Sequence, residues 1–146
     1  MDYLVNAVAI GAGATLVMDG WGVVRKRLLG MPAMDYGLVG RWLAHLPRGR
    51  FRRERIAAVP PVRGERLIGW TAHYLTGIAF AGVLLALWGL DWARHPTLGP
   101  ALLVGIGSVA APFLLMQAGR QSVVTHAVFG LGLYAAAWLQ SILGRA

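Results

Sequence analysis

The chain has 146 residues, of which 57% are hydrophobic and only 14% carry charge, and its formal net charge is +8 at pH 7. Soluble domains contain roughly 25% charged residues, and a soluble domain this small could not bury so much apolar surface, so we expect a membrane protein. The positive charge does not indicate nucleic-acid binding, because the basic residues concentrate in one segment bounded by long apolar stretches. The chain has no cysteine, which excludes disulfides, thiolate metal sites and cysteine nucleophiles.

Four apolar stretches are long enough to cross a bilayer, which takes about 20 residues of helix. Backbone groups in hydrocarbon must pair within their own segment, so we expect helices, and the runs do not alternate as barrel strands would. The predicted spans cover residues 3–24, 67–90, 97–117 and 123–143. The predicted fold class is therefore an all-α membrane protein, a single domain (1–146) that forms an antiparallel bundle of four transmembrane helices.

The distribution of charge predicts how these spans are oriented. Arg25, Lys26 and Arg27 follow the first span, whereas a signal peptide carries its bases before the apolar run. Eleven of the fourteen Lys and Arg residues lie in the first loop, residues 25–66. By the positive-inside rule this basic loop is cytoplasmic and both termini lie outside. We therefore predict a multi-pass protein of the bacterial inner (cytoplasmic) membrane.

The basic loop contains one predicted helix, over residues 35–46. Asp35 is its expected N-cap, and Pro47 ends it. Its residues divide into two faces, which is typical of a short amphipathic helix lying in the membrane interface. The apolar face contains Leu38, Val39, Trp42, Leu43 and Leu46, and the opposite face contains Gly40, Arg41 and Ala44.

An arginine-rich run follows this helix, with the sequence RGRFRRER over residues 48–55. A base close to an anionic membrane contributes about 1 kcal/mol to binding. We therefore predict that the run binds anionic lipid headgroups, with orientation of the chain as the alternative role. The residues concerned are Arg48, Arg50, Arg52, Arg53 and Arg55.

Three ionisable residues lie inside predicted spans, where such groups are costly and are functional candidates. Asp19, His73 and His126 each lie six or seven residues from a base at the cytoplasmic boundary, which is about 9–10 Å along a helix. Gln117 lies slightly closer to that boundary. Small residues on the same helix faces predict that the three side chains point into the bundle. These small residues are Gly11, Thr15 and Gly22, then Gly69 and Gly77, then Gly130 and Ala137.

This group of residues is compatible with more than one role. One carboxylate and two imidazoles can hold a divalent transition metal ion such as Zn²⁺ or Fe²⁺, and the same trio can relay protons. The structural alternative is that Asp19 accepts interhelical hydrogen bonds from His73, His126 or Tyr74. His45 and His95 fall in predicted loops, and we expect both at the surface.

Three functions remain open at this point. The leading hypothesis is a polytopic membrane protein with an intramembrane Asp/His site that binds or transports metal ions or protons. The alternative is a non-catalytic accessory subunit of a larger complex or homo-oligomer, which packs through Gly-rich faces and binds anionic lipid. A third is an enzyme acting on lipid headgroups, with His73 or His126 as its base.

Several segments resemble an uncharacterised family of small bacterial membrane proteins. They are GAGATLVMDGWG, VGRWLAHLPRGRF, PPVRGERLIGWTAHYLTGIAFA, APFLLMQ and THAVFGLGLY, in that order. The resemblance implies a four-helix inner-membrane protein and no particular activity. The chain departs from the family pattern in one place. Family members carry a longer connection between the third and fourth spans, where this chain has only AGRQS. The resemblance places the following residues at matching motif positions: Asp19, Arg41, Arg48, Arg63, Glu65, His73 and His126.

Overall fold

The computed structural model describes residues 2–32, 34–48, 56–110 and 120–144, and no residue in these ranges lies in a β-strand. The prediction of an all-α chain is confirmed for this part of the protein. Two short 3-10 helices, Leu46–Arg48 and Ile56–Ala58, lie in the basic loop. The α-helices are α1 (Tyr3–Leu29), α2 (Tyr36–His45), α3 (Glu65–Trp88), α4 (Leu90–Arg94), α5 (Leu98–Gly107) and α6 (Arg120–Leu143).

Three of these helices are long and apolar enough to cross a membrane: α1, α3 and the Ser122–Leu143 part of α6. This finding supports the membrane class. The first helix continues beyond the predicted span, to Leu29. The bases that follow residue 24 are good helix formers, and the helix ends only where Gly30 takes a left-handed conformation with φ 64°.

The third predicted span, residues 97–117, is described only in its first part. α5 covers ten residues of it, which is too short to cross a bilayer. Residues 111–119, among them the predicted site residue Gln117, lie outside the described residues. A bundle of four spans is therefore not established by the helices given above.

The long helices pack through their small residues. α1 contacts both α3 and α6, and α5 packs against α6. A Cβ atom placed on Gly11 of α1 would lie 2.5 Å from the Cα of Ile78 in α3, and one on Gly105 of α5 would lie 2.4 Å from the Cα of Gly130 in α6. Such backbone contact needs glycine, as the small-residue faces predicted. Gly22 is different, because nothing lies within 4 Å of its added Cβ.

The predicted helix of the basic loop is present as α2, and the Asp35 carboxylate accepts a hydrogen bond of 2.9 Å from the backbone N–H of Gly37. Its small and charged face packs on α3, where a Cβ on Gly40 would lie 1.8 Å from the backbone oxygen of Glu65. The two backbones meet because glycine lies on both helices, at Gly40 and at Gly69. The apolar residues on the opposite side stay half-buried, and placement of α2 in the interface stays a prediction.

The prediction that His45 lies at the surface of a loop is wrong. His45 is the last residue of α2 and is only 8% exposed. The helix that begins at Tyr36 extends through His45, so this residue belongs to a packed helix and not to an irregular segment. His95, by contrast, follows α4 and is exposed, as predicted.

Candidate functional site

The carboxylate of Asp19 in α1 accepts hydrogen bonds from three side chains. His73 Nε2, on α3, lies 2.9 Å from Asp19 Oδ1, and the Tyr36 hydroxyl, from the first residue of α2, lies 3.4 Å from the same oxygen. The Tyr74 hydroxyl lies 3.1 Å from Oδ2. The side chains of His73 and Asp19 are only 12% and 19% exposed. The structure therefore brings together Asp19, His73 and Tyr74, which the sequence offered as interhelical hydrogen-bond partners. It adds Tyr36, which sequence reasoning did not place at this point.

Aromatic rings hold the imidazole of His73 in position. The Tyr36 ring stacks on it with centroids 4.1 Å apart, and the Tyr74 ring meets it edge-on at 5.6 Å. Trp70 packs against Tyr36 at 4.5 Å and against His73 at 5.9 Å. Aromatic pairs of this kind contribute about 0.5–1.5 kcal/mol each beyond the area they bury. The packing keeps Nε2 directed at the carboxylate.

Tyr36 remains a hydrogen-bond donor over the whole physiological pH range. Burial raises the pKa of its phenol well above the usual value, and the nearby charge of Asp19 raises it further. The positive charge of Arg25 acts in the opposite direction, but it is a smaller effect. The neutral phenol is the form that donates to Asp19.

His126 is not hydrogen-bonded to this pair. Its Nδ1 donates to the backbone oxygen of Ser122, one turn earlier in α6, at 2.7 Å. In the part of the chain that the structure describes, no three His, Asp or Glu side chains are placed to hold a metal ion. The structure thus gives no support to a metal site formed by Asp19, His73 and His126, and Gln117 lies outside the described residues.

An ion pair fastens α2 to the start of α3. The guanidinium of Arg41 donates from Nε and Nη2 to the two carboxylate oxygens of Glu65, each at 2.8 Å. Arg41 Nη1 also donates to the backbone oxygen of Val59 at 2.8 Å, and Glu65 accepts from the N–H of Val62 at 2.9 Å. This cluster fixes α2, and therefore Tyr36, relative to α3.

A family model matches residues 8–121, which is most of the chain. The chain belongs to the DUF2938 family of proteins of unknown function. The residues of the Asp19 site and the ion pair between Arg41 and Glu65 all lie inside the matched range. No curated protein and no solved structure has significant similarity to the chain.

The DUF2938 assignment confirms the resemblance to an uncharacterised family. The matched range ends at residue 121, so the THAVFGLGLY segment and His126 lie beyond it. The description of the family assigns no activity, so function has to be argued from the site itself.

The arginine-rich run lies almost wholly outside the described residues. Residues 49–55, with Arg50, Arg52, Arg53 and Arg55, are not described, and of Arg48 only the backbone is. Binding of anionic lipid by this part of the DUF2938 chain therefore stays a prediction, which is based on the positive charge of the run.

Proposed function

We propose that this DUF2938 protein binds and releases a proton at the Asp19–His73 pair, close to the end of the bundle that carries the basic loop. The observation that carries the proposal is the 2.9 Å contact between the carboxylate and the imidazole, made between two helices that are long and apolar enough to span a membrane. Ionisable groups at such positions are costly, and proton relays in transporters are built from them. An imidazole ordinarily changes its charge between pH 5 and 8.

The surroundings of the pair support proton transfer. Tyr36 and Tyr74 place hydroxyl groups on both carboxylate oxygens, and a hydroxyl can donate and accept a proton at once. Tyr36 belongs to α2, in the basic loop, so it lies on the side from which a proton would enter. The aromatic rings around His73 limit the access of water.

We further propose the arrangement of the chain in the membrane. Four antiparallel spans cross the bacterial inner membrane, with both termini outside and the basic loop in the cytoplasm. The support is the positive charge at the end of α1, where Lys26 and Arg27 are exposed in the last turn, together with the positive-inside rule. Anionic lipids are the proposed partners of the arginine-rich run.

Infrared difference spectroscopy tests the proton site directly. Spectra of the purified, lipid-reconstituted chain are recorded between pH 5 and pH 8. We expect carboxylate and imidazole bands that change with pH and are missing in both Asp19→Asn and His73→Gln. The matched control is His95→Gln, which removes an exposed histidine and should keep those bands. Identical difference spectra for Asp19→Asn and the unmodified chain would contradict the proposal.

A second measurement separates proton binding from proton transport. Liposomes that contain the protein and a pH-sensitive dye are given a pH gradient, and its decay is followed. If the site conducts protons, the gradient decays faster with the unmodified chain than with Asp19→Asn. Equal decay, together with a positive infrared result, would restrict the role of the pair to proton binding.

A further inference from the structure

The face of α1 that packs against α6 carries a second cluster of polar groups, separate from the Asp19 site. Ala14 marks this face, because a Cβ on Gly132 of α6 would lie 2.9 Å from the Ala14 Cα. Trp21 and Arg25 follow Ala14 by seven and eleven residues, so they lie on the same side of the helix. Arg25 Nη1 accordingly donates to the hydroxyl of Thr125 in α6, at 3.3 Å.

Two donors on this face are buried without an acceptor. They are Arg25 Nε and Trp21 Nε1, neither of which has a hydrogen-bond partner among the described residues. Buried polar groups are nearly always hydrogen-bonded, and an unpaired buried donor costs about 1–3 kcal/mol, more when it is charged. The two groups lie one helical turn apart, so a single ligand can reach both.

Arg25 also forms no ion pair in the described part of the chain. No carboxylate there lies within 4 Å of its guanidinium, since the ion pairs are Arg41–Glu65, His73–Asp19 and Arg94–Asp91. Asp19 accepts its hydrogen bonds from side chains of α2 and α3 instead. A half-buried guanidinium without a counter-ion favours an anion as its ligand.

We propose that Trp21, Arg25 and Thr125 form a binding site for a phosphate-type oxyanion, carried by an anionic lipid headgroup or free in solution. The guanidinium fork and the indole N–H both donate to such oxygens. Arg25 lies four residues before Leu29, the last residue of α1, which is about 6 Å along the helix. Basic pockets between helices at this level bind lipid headgroups. The exposed neighbours Lys26 and Arg27 raise the local concentration of anions.

Calorimetric titration of the full chain in neutral detergent tests this site. The ligands are short-chain phosphatidylglycerol, short-chain phosphatidylcholine and inorganic phosphate. Arg25→Gln removes the guanidinium fork. Trp21→Phe removes the indole N–H while keeping an aromatic ring. Arg27→Gln is the matched control, because it removes the same charge from an exposed neighbour. We expect Arg25→Gln to weaken phosphatidylglycerol binding about tenfold or more and Trp21→Phe about threefold, while Arg27→Gln changes it less than about twofold.

Comparing the titrations with lipid and with inorganic phosphate distinguishes the two sources of the oxyanion. Binding of phosphatidylglycerol alone assigns the site to a lipid headgroup, and binding of inorganic phosphate with the same dependence on Arg25 and Trp21 assigns it to a free anion. The proposal is overturned if neither binds, if Arg27→Gln weakens binding as much as Arg25→Gln does, or if Trp21→Phe has no effect. Trp21→Phe keeps the aromatic ring in place, so it remains informative should Arg25→Gln fail to fold.

Discussion

Arg41 of α2 binds Glu65, the first residue of α3, through two N–H···O bonds of 2.8 Å, and the same guanidinium reaches the backbone oxygen of Val59. The two side chains are only 12% and 17% exposed. One arginine thus joins the loop helix, the segment that returns from the arginine-rich run and the start of a long apolar helix. Because α2 also supplies Tyr36, this ion pair positions a hydroxyl at Asp19.

Replacing Arg41 should therefore loosen α2. A lysine keeps the charge but lacks the planar fork that serves two carboxylate oxygens and a carbonyl at once. We expect the amides of α2 to exchange hydrogen several-fold faster in Arg41→Lys, measured by exchange mass spectrometry in lipid nanodiscs. Arg63→Lys, at an exposed position in the same loop, should leave α2 unchanged. Unaltered exchange in Arg41→Lys would show that the ion pair does not hold the helix.

The contact between α1 and α3 leaves no room for a side chain at Gly11. Its added Cβ would lie 2.5 Å from a backbone atom, which cannot move aside as a side chain could. We expect Gly11→Ala to lower the free energy of unfolding by about 1–3 kcal/mol, measured by detergent denaturation. Gly20→Ala is the control on the same helix, because nothing lies within 4 Å of its Cβ. Equal stability of the two variants would refute close packing at this interface.

A double-mutant cycle distinguishes a two-residue centre from a three-residue one. Asp19 and His73 are in direct contact, so their changes to Asn and Gln should be non-additive by about 0.5–1.7 kcal/mol in stability. His126 makes its hydrogen bond within its own helix and interacts with His73 only electrostatically, so the cycle of Asp19→Asn with His126→Gln should show a clearly smaller non-additivity. Coupling of similar size in both cycles would instead favour a shared ion, and metal analysis of the purified chain would then identify it.

The stability of the fold should decline at alkaline pH because of Tyr36. Burial and Asp19 raise the pKa of its phenol in the folded chain, while the unfolded chain keeps a value near 10. Above about pH 10 the unfolded state therefore loses the proton that the folded state retains, and stability falls as pH rises.

Tyr36→Phe should reduce this decline in denaturation experiments between pH 9 and 11, because it removes the group that titrates. Tyr3→Phe is the corresponding control, since Tyr3 is the first residue of α1 and lies far along that helix from Asp19. A decline of the same steepness in Tyr36→Phe would show that other groups cause the loss of stability.

Much of the architecture could be predicted from the sequence. The lengths of the apolar runs indicated the helices that became α1, α3 and α6, and Asp35 with Pro47 indicated the limits of α2. Distance from the nearest base placed Asp19 and His73 at one level, and the structure brings these two side chains together. Such features depend only on neighbouring residues or on the spacing of residues along one helix, so they can be read from a single sequence.

Other features depend on how distant segments meet. The Arg41–Glu65 pair joins residues 24 positions apart, across a loop whose path the sequence does not give. The packing face of α2 was not predicted either, because glycine contributes nothing to a hydrophobic pattern although it permits backbone contact at Gly40. Tyr36 was missed for the same reason, since it reaches Asp19 only when that face lies on α3.

The position of α2 has a consequence for communication through the molecule. Its first residue donates to Asp19 and its sixth is bound to Glu65, so a ligand of the arginine-rich run that displaces this helix would also remove a donor from the Asp19 carboxylate. Such coupling is reciprocal: a change in the charge of Asp19 alters how firmly Tyr36 retains α2. Binding at the basic loop and a change of charge at the Asp19–His73 pair then become two readouts of one equilibrium.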